Sequence, residues 1–259
     1  MIQLKNSKVA IPLVLIAGLL WSFGPYVVRN IDSPHLVPWQ YLFTRGIVIF
    51  IILNFFLYLE EGKSFYKNYF KIGISGLIGG VGLGAAMITF IWSITNTSAA
   101  ITLLCLASMP FITALLGFLF LKEKVSVNTW ISIIIASIGI IIMALGSKNS
   151  NNIFGLLFGL ISALGFAIFS TTLRWRKEIP KFTTVSVAGL ICFVFSSIMI
   201  ISLDINFLSS GKNESLFALH GSLVCFGLIL YSIGSKHIPA ADLTLLSLTE
   251  VIGGIFWVW

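Results

Sequence analysis

Two ionisable side chains stand inside long apolar runs: Arg45 in the run 37–59 and Glu250 in the run 240–259. A charge held in hydrocarbon costs about 2.5–3.5 kcal/mol on insertion scales, so such residues face a cavity or a partner. Arg45 carries a planar fork of N–H donors, which suits an anionic group such as a carboxylate. The blander account is snorkelling or pairing with helix-end carbonyls, because Arg45 lies only about eight residues into its run. Glu250 is placed to take up and release a coupling proton, or to act as a fixed acceptor that joins helices. Asp242, nearer the end of the same run, reads as a helix N-cap.

Smaller polar groups recur around these charges. Ser98, Thr102, Cys105 and Ser108 follow one another near the helical period, and Thr244, Ser247 and Glu250 form a comparable stripe. With Trp21 and Ser162 they outline a polar pocket among the first, fourth, sixth and ninth apolar runs. Trp21, Thr102, Ser162, Ser247 and Glu250 are expected to face it, and the expected binding residues overall are Trp21, Arg45, Thr102, Ser108, Ser162, Ser247 and Glu250. Small polar residues also draw helices together in lipid, and for any one of them that alternative stands. Pro25 and Pro110 each remove a helix N–H and free a carbonyl, of Trp21 and Leu106 respectively, either to meet a solute or to shape a kink. Gly73, Gly76, Gly80 and Gly84 read as a ridge for close helix packing. Trp92 and Tyr231 fit either a cavity wall or an interfacial anchor.

Chemistry of other kinds has little to stand on. His35, His220 and His237 are scattered at run ends or in loops, with no paired carboxylates beside them, and no phosphate-cradling glycine loop precedes a lysine. The three cysteines, Cys105, Cys192 and Cys225, fall inside apolar runs and read as packing residues. No cofactor or metal is expected. A membrane enzyme acting on lipid and a non-transporting membrane subunit remain the alternatives to a carrier.

The elements that position these residues follow from composition. Of 259 residues, 58% are hydrophobic and only 10% are charged, with a mean hydropathy of +1.03. A soluble domain carries about 25% charged residues, so lipid is the solvent this chain suits. Helical spans of about 20 residues fit nine segments: 9–28, 37–59, 72–94, 98–121, 127–146, 153–173, 182–203, 216–234 and 240–259. The long uncharged stretch from Ile72 to Leu121 breaks at Thr95-Asn96-Thr97-Ser98. The runs are continuous in hydropathy, which excludes a β-barrel. The first run is longer than a signal-peptide core of about 7–15 residues and reads as a membrane helix.

The net charge of +7 does not point to nucleic acid, because the basic residues sit in short loops between apolar runs. With the N-terminus in the cytoplasm, that side holds 12 Lys and Arg: Lys5, Lys8, Lys63, Lys67, Lys71, Lys122, Lys124, Arg174, Arg176, Lys177, Lys181 and Lys236. The other side holds 3, namely Arg29, Lys148 and Lys212. That bias places the N-terminus inside.

The chain also matches itself. Gly18 and Gly24 correspond to Gly159 and Gly165, and Ala99-Ala100 to Ala240-Ala241, all 141 residues apart. A repeat of that length holds five spans. Five is odd, so the second copy enters the membrane from the opposite face, as in many secondary transporters. The expected organisation is a first repeat at 1–148 and a second at 149–259, five helices plus four, from a parent fold of five plus five.

These stretches resemble the drug/metabolite transporter superfamily, and within it the EamA-type ten-helix carriers. The resemblance rests on Leu19-Leu20-Trp21-Ser22-Phe23-Gly24-Pro25, Phe43-Thr44-Arg45, Ser108-Met109-Pro110-Phe111, Leu121-Lys122-Glu123-Lys124, Ile238-Pro239-Ala240-Ala241 and Leu248-Thr249-Glu250-Val251. Val251 departs from the pattern, which has a proline after the glutamate. The resemblance implies a secondary carrier in the inner membrane, moving a small organic metabolite, an amino acid or similar, by alternating access.

Overall fold

Without water to satisfy them, backbone groups in a membrane must pair within each segment, and this chain does so as helix. The computed structural model describes residues 7–146, 153–175 and 180–258, and among them there is no strand. Helices α1 (Ser7–Trp21) and α2 (Phe23–Asn30) form the first span, and α3 (Pro38–Glu61) the second. A short α4 (Lys67–Lys71) leads into α5 (Gly73–Asn96). The fourth span is α6 (Ala99–Leu106) and α7 (Met109–Leu116), drawn out by a π-type turn over Gly117–Leu121. After these come α8 (Val127–Gly146), α9 (Ile153–Trp175), α10 (Lys181–Ser202) and α11 (Gly211–Gly234), and the last span is α12 (Ala240–Leu246) with α13 (Thr249–Val258). Eight segments of the described residues are long and apolar enough to cross a membrane. The expected fifth span is the 20-residue helix α8, part of whose side-chain placement lies outside the described residues. The protein is an all-α integral membrane protein.

The helix pairings recur under the offset of 141. Helix α5 packs on α9, and α1 on α11; α5 packs on α10, and α3 on α11. The fourth span lies against α9, and the last span against α1 and α2. Matched glycines occupy matched crossings. A Cβ on Gly18 would strike Ser247 and Thr249 of the last span, and one on Gly159 would strike Cys105 of the fourth. Gly24 abuts His220 of α11, while Gly165 abuts Gly82 and Ala86 of α5.

Gly165 shows what that closeness requires. A Cβ there would lie 2.5 Å from the carbonyl oxygen of Gly82, and one on Gly82 would lie 2.9 Å from that of Gly165. Both obstacles are backbone, which cannot swing aside. Gly165→Ala should therefore cost about 2 kcal/mol of stability, read as a fall in thermal unfolding temperature in detergent. Gly211→Ala, where a Cβ meets nothing within 4 Å, is the neutral control. The expected ridge on α5 is in fact two: Gly80 and Gly84 face α10, while Gly79 and Gly82 face α9. Gly73 is not part of it. Its φ of 61° serves the turn from α4 into α5, and a side chain there would meet open space.

Three spans are broken, and each break carries a serine that bonds the carbonyl three residues back. Ser22 Oγ donates to Leu19 O at 2.6 Å, Ser108 Oγ to Cys105 O at 2.6 Å, and Ser247 Oγ to Thr244 O at 2.8 Å. Such local side-chain bonds compete with the helix's own ladder at a break. Pro25 and Pro110 lie just after the first two breaks, near the start of α2 and α7.

The polar loops separate by end. Asn68, Glu61, Lys181 and Lys236 gather at one end of the bundle, as do Glu123 and Arg174. At the other end Lys212 Nζ meets Asp32 Oδ1 at 2.6 Å, and Thr44 Oγ1 donates to Glu214 Oε2 at 2.6 Å. Lys5, Lys148, Arg176 and Lys177 lie outside the described residues, as do the side chain of Lys8 and the boundary between 148 and 149.

Candidate solute cavity

Seven of the spans bring residues to the middle of the bundle, where the crossings leave a space. A central space of about 60 Å³ is bounded by residues of α1, α3, α5, α6, α7, α9, α11 and α13. Its polar lining is Arg45, Ser162, His220 and Glu250; the remainder is apolar or aromatic, including Trp21, Met87, Phe90, Phe166 and Leu228. A few convergent polar groups in an apolar wall are the usual make-up of a small-molecule site.

Arg45 is the most exacting group. Only 5% of its surface is exposed, and Nε and Nη1 are buried with no hydrogen-bond partner. The guanidinium carbon sits 5.8 Å from the centre of the Phe90 ring, a geometry that steadies a cation without using its donors. Gly221 permits this placement, since a Cβ there would lie 3.2 Å from Arg45 Cα. Glu250 occupies the first turn of α13, where the partial positive charge of a helix start favours a carboxylate.

Trp21 closes one side. Its Nε1 donates to Val224 O at 3.2 Å, and its indole fills the space that Gly227 leaves on α11. Phe166 and Tyr231 pack on it, with ring centres 5.4 Å away in each case. Ser162 Oγ donates to Ala86 O at 2.9 Å, tying α9 to α5 at the cavity wall. Of the residues expected to bind solute, Trp21, Arg45, Ser162 and Glu250 thus share one cavity. Thr102, Ser108 and Ser247 do not line it. Thr102 Oγ1 lies 2.8 Å from Ser93 Oγ at the junction of α5 and α6, and the two serines serve the helix breaks. The cavity also draws on α3, α5 and α11, beyond the four spans expected to enclose it.

Sequence reasoning missed His220. Its apolar run was expected to begin at 216, which puts the histidine near a membrane surface. The helix instead begins at Gly211, capped by Ser210, whose Oγ accepts from Asn213 N at 3.3 Å. Lys212 and Glu214 are first-turn residues, and His220 lies more than two turns inside. The signal was the Ser210–Asn213 spacing ahead of the apolar run. Asp242 also differs from expectation. It sits in the first turn of α12 and accepts from Thr129 Oγ1 at 2.7 Å, while Glu123 supplies the cap by accepting from Ala240 N at 3.1 Å. Tyr231 is wholly buried and within hydrogen-bond distance of Ser170, 2.7 Å away, so it is not an interfacial anchor.

With this geometry in hand, residues 8–145 match the EamA-like transporter family. The chain belongs to that family. This EamA-like transporter is 24% identical over 259 residues to an "Uncharacterized transporter" of Helicobacter pylori, covering 95% of this chain and 84% of the relative. An "Uncharacterized transporter YojE" of Bacillus subtilis is 23% identical, over 92% of this chain and 80% of its own. "Protein RarD" of Escherichia coli is 24% identical over 145 residues, 53% of this chain and 47% of its own. A solved crystal structure superposes with a TM-score of 0.73 at 18% identity, over 96% of this EamA-like chain and 87% of the other. The family places the protein among membrane transporters of the drug/metabolite superfamily, with a small-molecule substrate and a lipid bilayer as its partners.

Proposed function

We propose that this protein is a secondary transporter that moves a small organic metabolite, an amino acid or similar solute, across the inner membrane by alternating access. The observation that carries the reading is the central cavity, in which a buried guanidinium without partners on two nitrogens shares an apolar wall with a carboxylate. Unpaired donors and charges in an apolar wall are costly, and a solute with complementary groups would relieve that cost. The two halves, 1–148 and 149–259, act as inverted repeats around it; the pairings recurring under the 141-residue offset support this. Rocking one half against the other would expose the cavity to each side in turn. The N-terminus lies in the cytoplasm, which the gathering of Lys181, Lys236 and Arg174 at one end supports.

Flux tests the reading. Purified protein in proteoliposomes should carry out counterflow of a labelled amino acid, chased from a panel, well above protein-free vesicles. Absence of flux for every small organic solute tried overturns it. Cysteines placed in the loop around Lys67 should be protected from an impermeant reagent in intact cells; labelling from outside reverses the orientation.

A further inference from the structure

Tyr41, Arg45, Phe217 and His220 form one register between α3 and α11. Tyr41 and Arg45 are one turn apart on α3, and Phe217 and His220 are nearly one turn apart on α11. The Tyr41 ring stacks on Phe217 at 4.5 Å, and its hydroxyl is hydrogen-bonded to His220 Nδ1. The backbone of Arg45 rests against Gly221, next to His220. Both Arg45 and His220 reach the central cavity, while Tyr41 stands behind them, fully buried.

We propose that Arg45 and His220 together form a two-donor receptor for the carboxylate of the solute, and that Tyr41 positions His220 for that task. The inference rests on the carrier reading above and names the solute group that its cavity takes. Hydrogen bonding at Tyr41 decides the proton on the histidine. If Nδ1 carried the proton, it would donate to the phenol oxygen, and the buried phenol O–H would have no acceptor. Each arrangement leaves one donor without a protein acceptor, but the phenol is the more acidic donor and the imidazole nitrogen the better acceptor, so the phenol donates to Nδ1 and the ring proton sits on Nε2. The edge bearing Nε2 lies beside Gly24 of α2, where a Cβ would come within 3.1 Å of it, and His220 itself lines the cavity. The cavity thus meets an N–H of His220 next to a guanidinium with Nε and Nη1 unpartnered. None of these donors is hydrogen-bonded to the Glu250 carboxylate that shares the cavity, and an anion with two oxygens fits both.

The other walls fix the body of that anion. Leu83, Met87, Phe166 and Val224 offer no hydrogen bonds, and beyond the two donors only Ser162 and Glu250 are polar. The solute is therefore a carboxylate on a largely apolar body.

Ligand-dependent stabilisation of the purified full chain in detergent tests this with two acid–amide pairs, phenylacetate with phenylacetamide and L-phenylalanine with L-phenylalaninamide. At least one acid should bind on the order of tenfold more tightly than its amide, the gap expected when a charge-assisted hydrogen bond is lost. Arg45→Lys and His220→Gln should bring acid and amide toward parity. Tyr41→Phe keeps the ring stack and lets Nδ1 take the proton, so acid affinity should fall several-fold while amide affinity holds. Equal affinity for acid and amide in the unaltered protein, binding of neither acid, or an unchanged acid preference in Tyr41→Phe overturns the proposal. Counterflow of the same probes separates the two readings. Binding without flux removes transport and keeps the receptor, whereas flux with no preference for acids removes the receptor and keeps transport.

Discussion

Glu250→Gln is expected to abolish proton-driven accumulation of solute, by tenfold or more, in a protein that still folds and inserts. The substitution keeps the shape of the side chain and its ability to accept a hydrogen bond, and removes its ability to carry a charge or exchange a proton. Its surroundings tolerate the change. The Glu250 carboxylate lines the central cavity with 9% of the residue exposed, and the backbone bond from Glu250 N to Ser247 O, 2.9 Å, is untouched by it. Solute exchange down its own gradient should persist, because Arg45 and the apolar walls remain. The measurement is uptake into proteoliposomes with and without an imposed pH gradient. Accumulation that responds to the gradient as before would show that Glu250 is only a fixed acceptor.

Arg174→Ala is expected to lower stability by about 2–3 kcal/mol, below the 3–5 kcal/mol of a fully buried broken pair because both partners are partly solvated. Arg174 Nε and Nη2 donate to Glu123 Oε1 at 3.0 and 2.9 Å, with the side chains 13% and 23% exposed. Arg174 Nη1 also donates to the carbonyls of Ser235 and Lys236, at 3.3 and 3.2 Å. Glu123 Oε2 accepts from Ala240 N at the start of α12. One ion pair therefore joins the end of the fourth span, the end of α9, the end of α11 and the start of the last span. Removing the arginine leaves the carboxylate with the Ala240 N–H and takes a charged donor away from two helix-end carbonyls. Thermal unfolding in detergent should fall by on the order of 5 °C. Adding Glu123→Gln to Arg174→Ala should cost much less than either change suggests alone, since they share one network. Additive losses would mean the two residues act separately.

Much of this architecture was legible in the residues alone because lipid imposes simple rules. Continuous apolar length set the spans, and the Thr95–Ser98 break was placed correctly: α5 ends at Asn96 and Ser98 caps α6, accepting from Ile101 N at 3.2 Å. The cost of an isolated charge in hydrocarbon was enough to single out Arg45 and Glu250, and both line the cavity. Stripes of small polar residues were a weaker guide, because periodicity names a helix face but not what the face meets. Thr102, Ser108 and Ser247 turn to helix junctions and breaks for that reason. His220 was hidden by a polar first turn that resembles a loop until Ser210 is recognised as its cap.

The break in the last span shows where local sequence stops. Pro110 marks the break in the fourth span, but its counterpart 141 residues on is Val251, which imposes no break of its own. The turn at Ser247–Leu248 forms nonetheless, with Ser247 bonding Thr244 and the Ser247 carbonyl lying against Gly18 of α1. Composition and hydropathy determined that the chain is a helical bundle in lipid, which charges it must bury and, with the serines and prolines, roughly where helices bend. Which buried groups meet was decided by the crossings. Glycines at Gly18, Gly165 and Gly221 let backbones approach, and only that approach brings Arg45, His220 and Glu250 around one space.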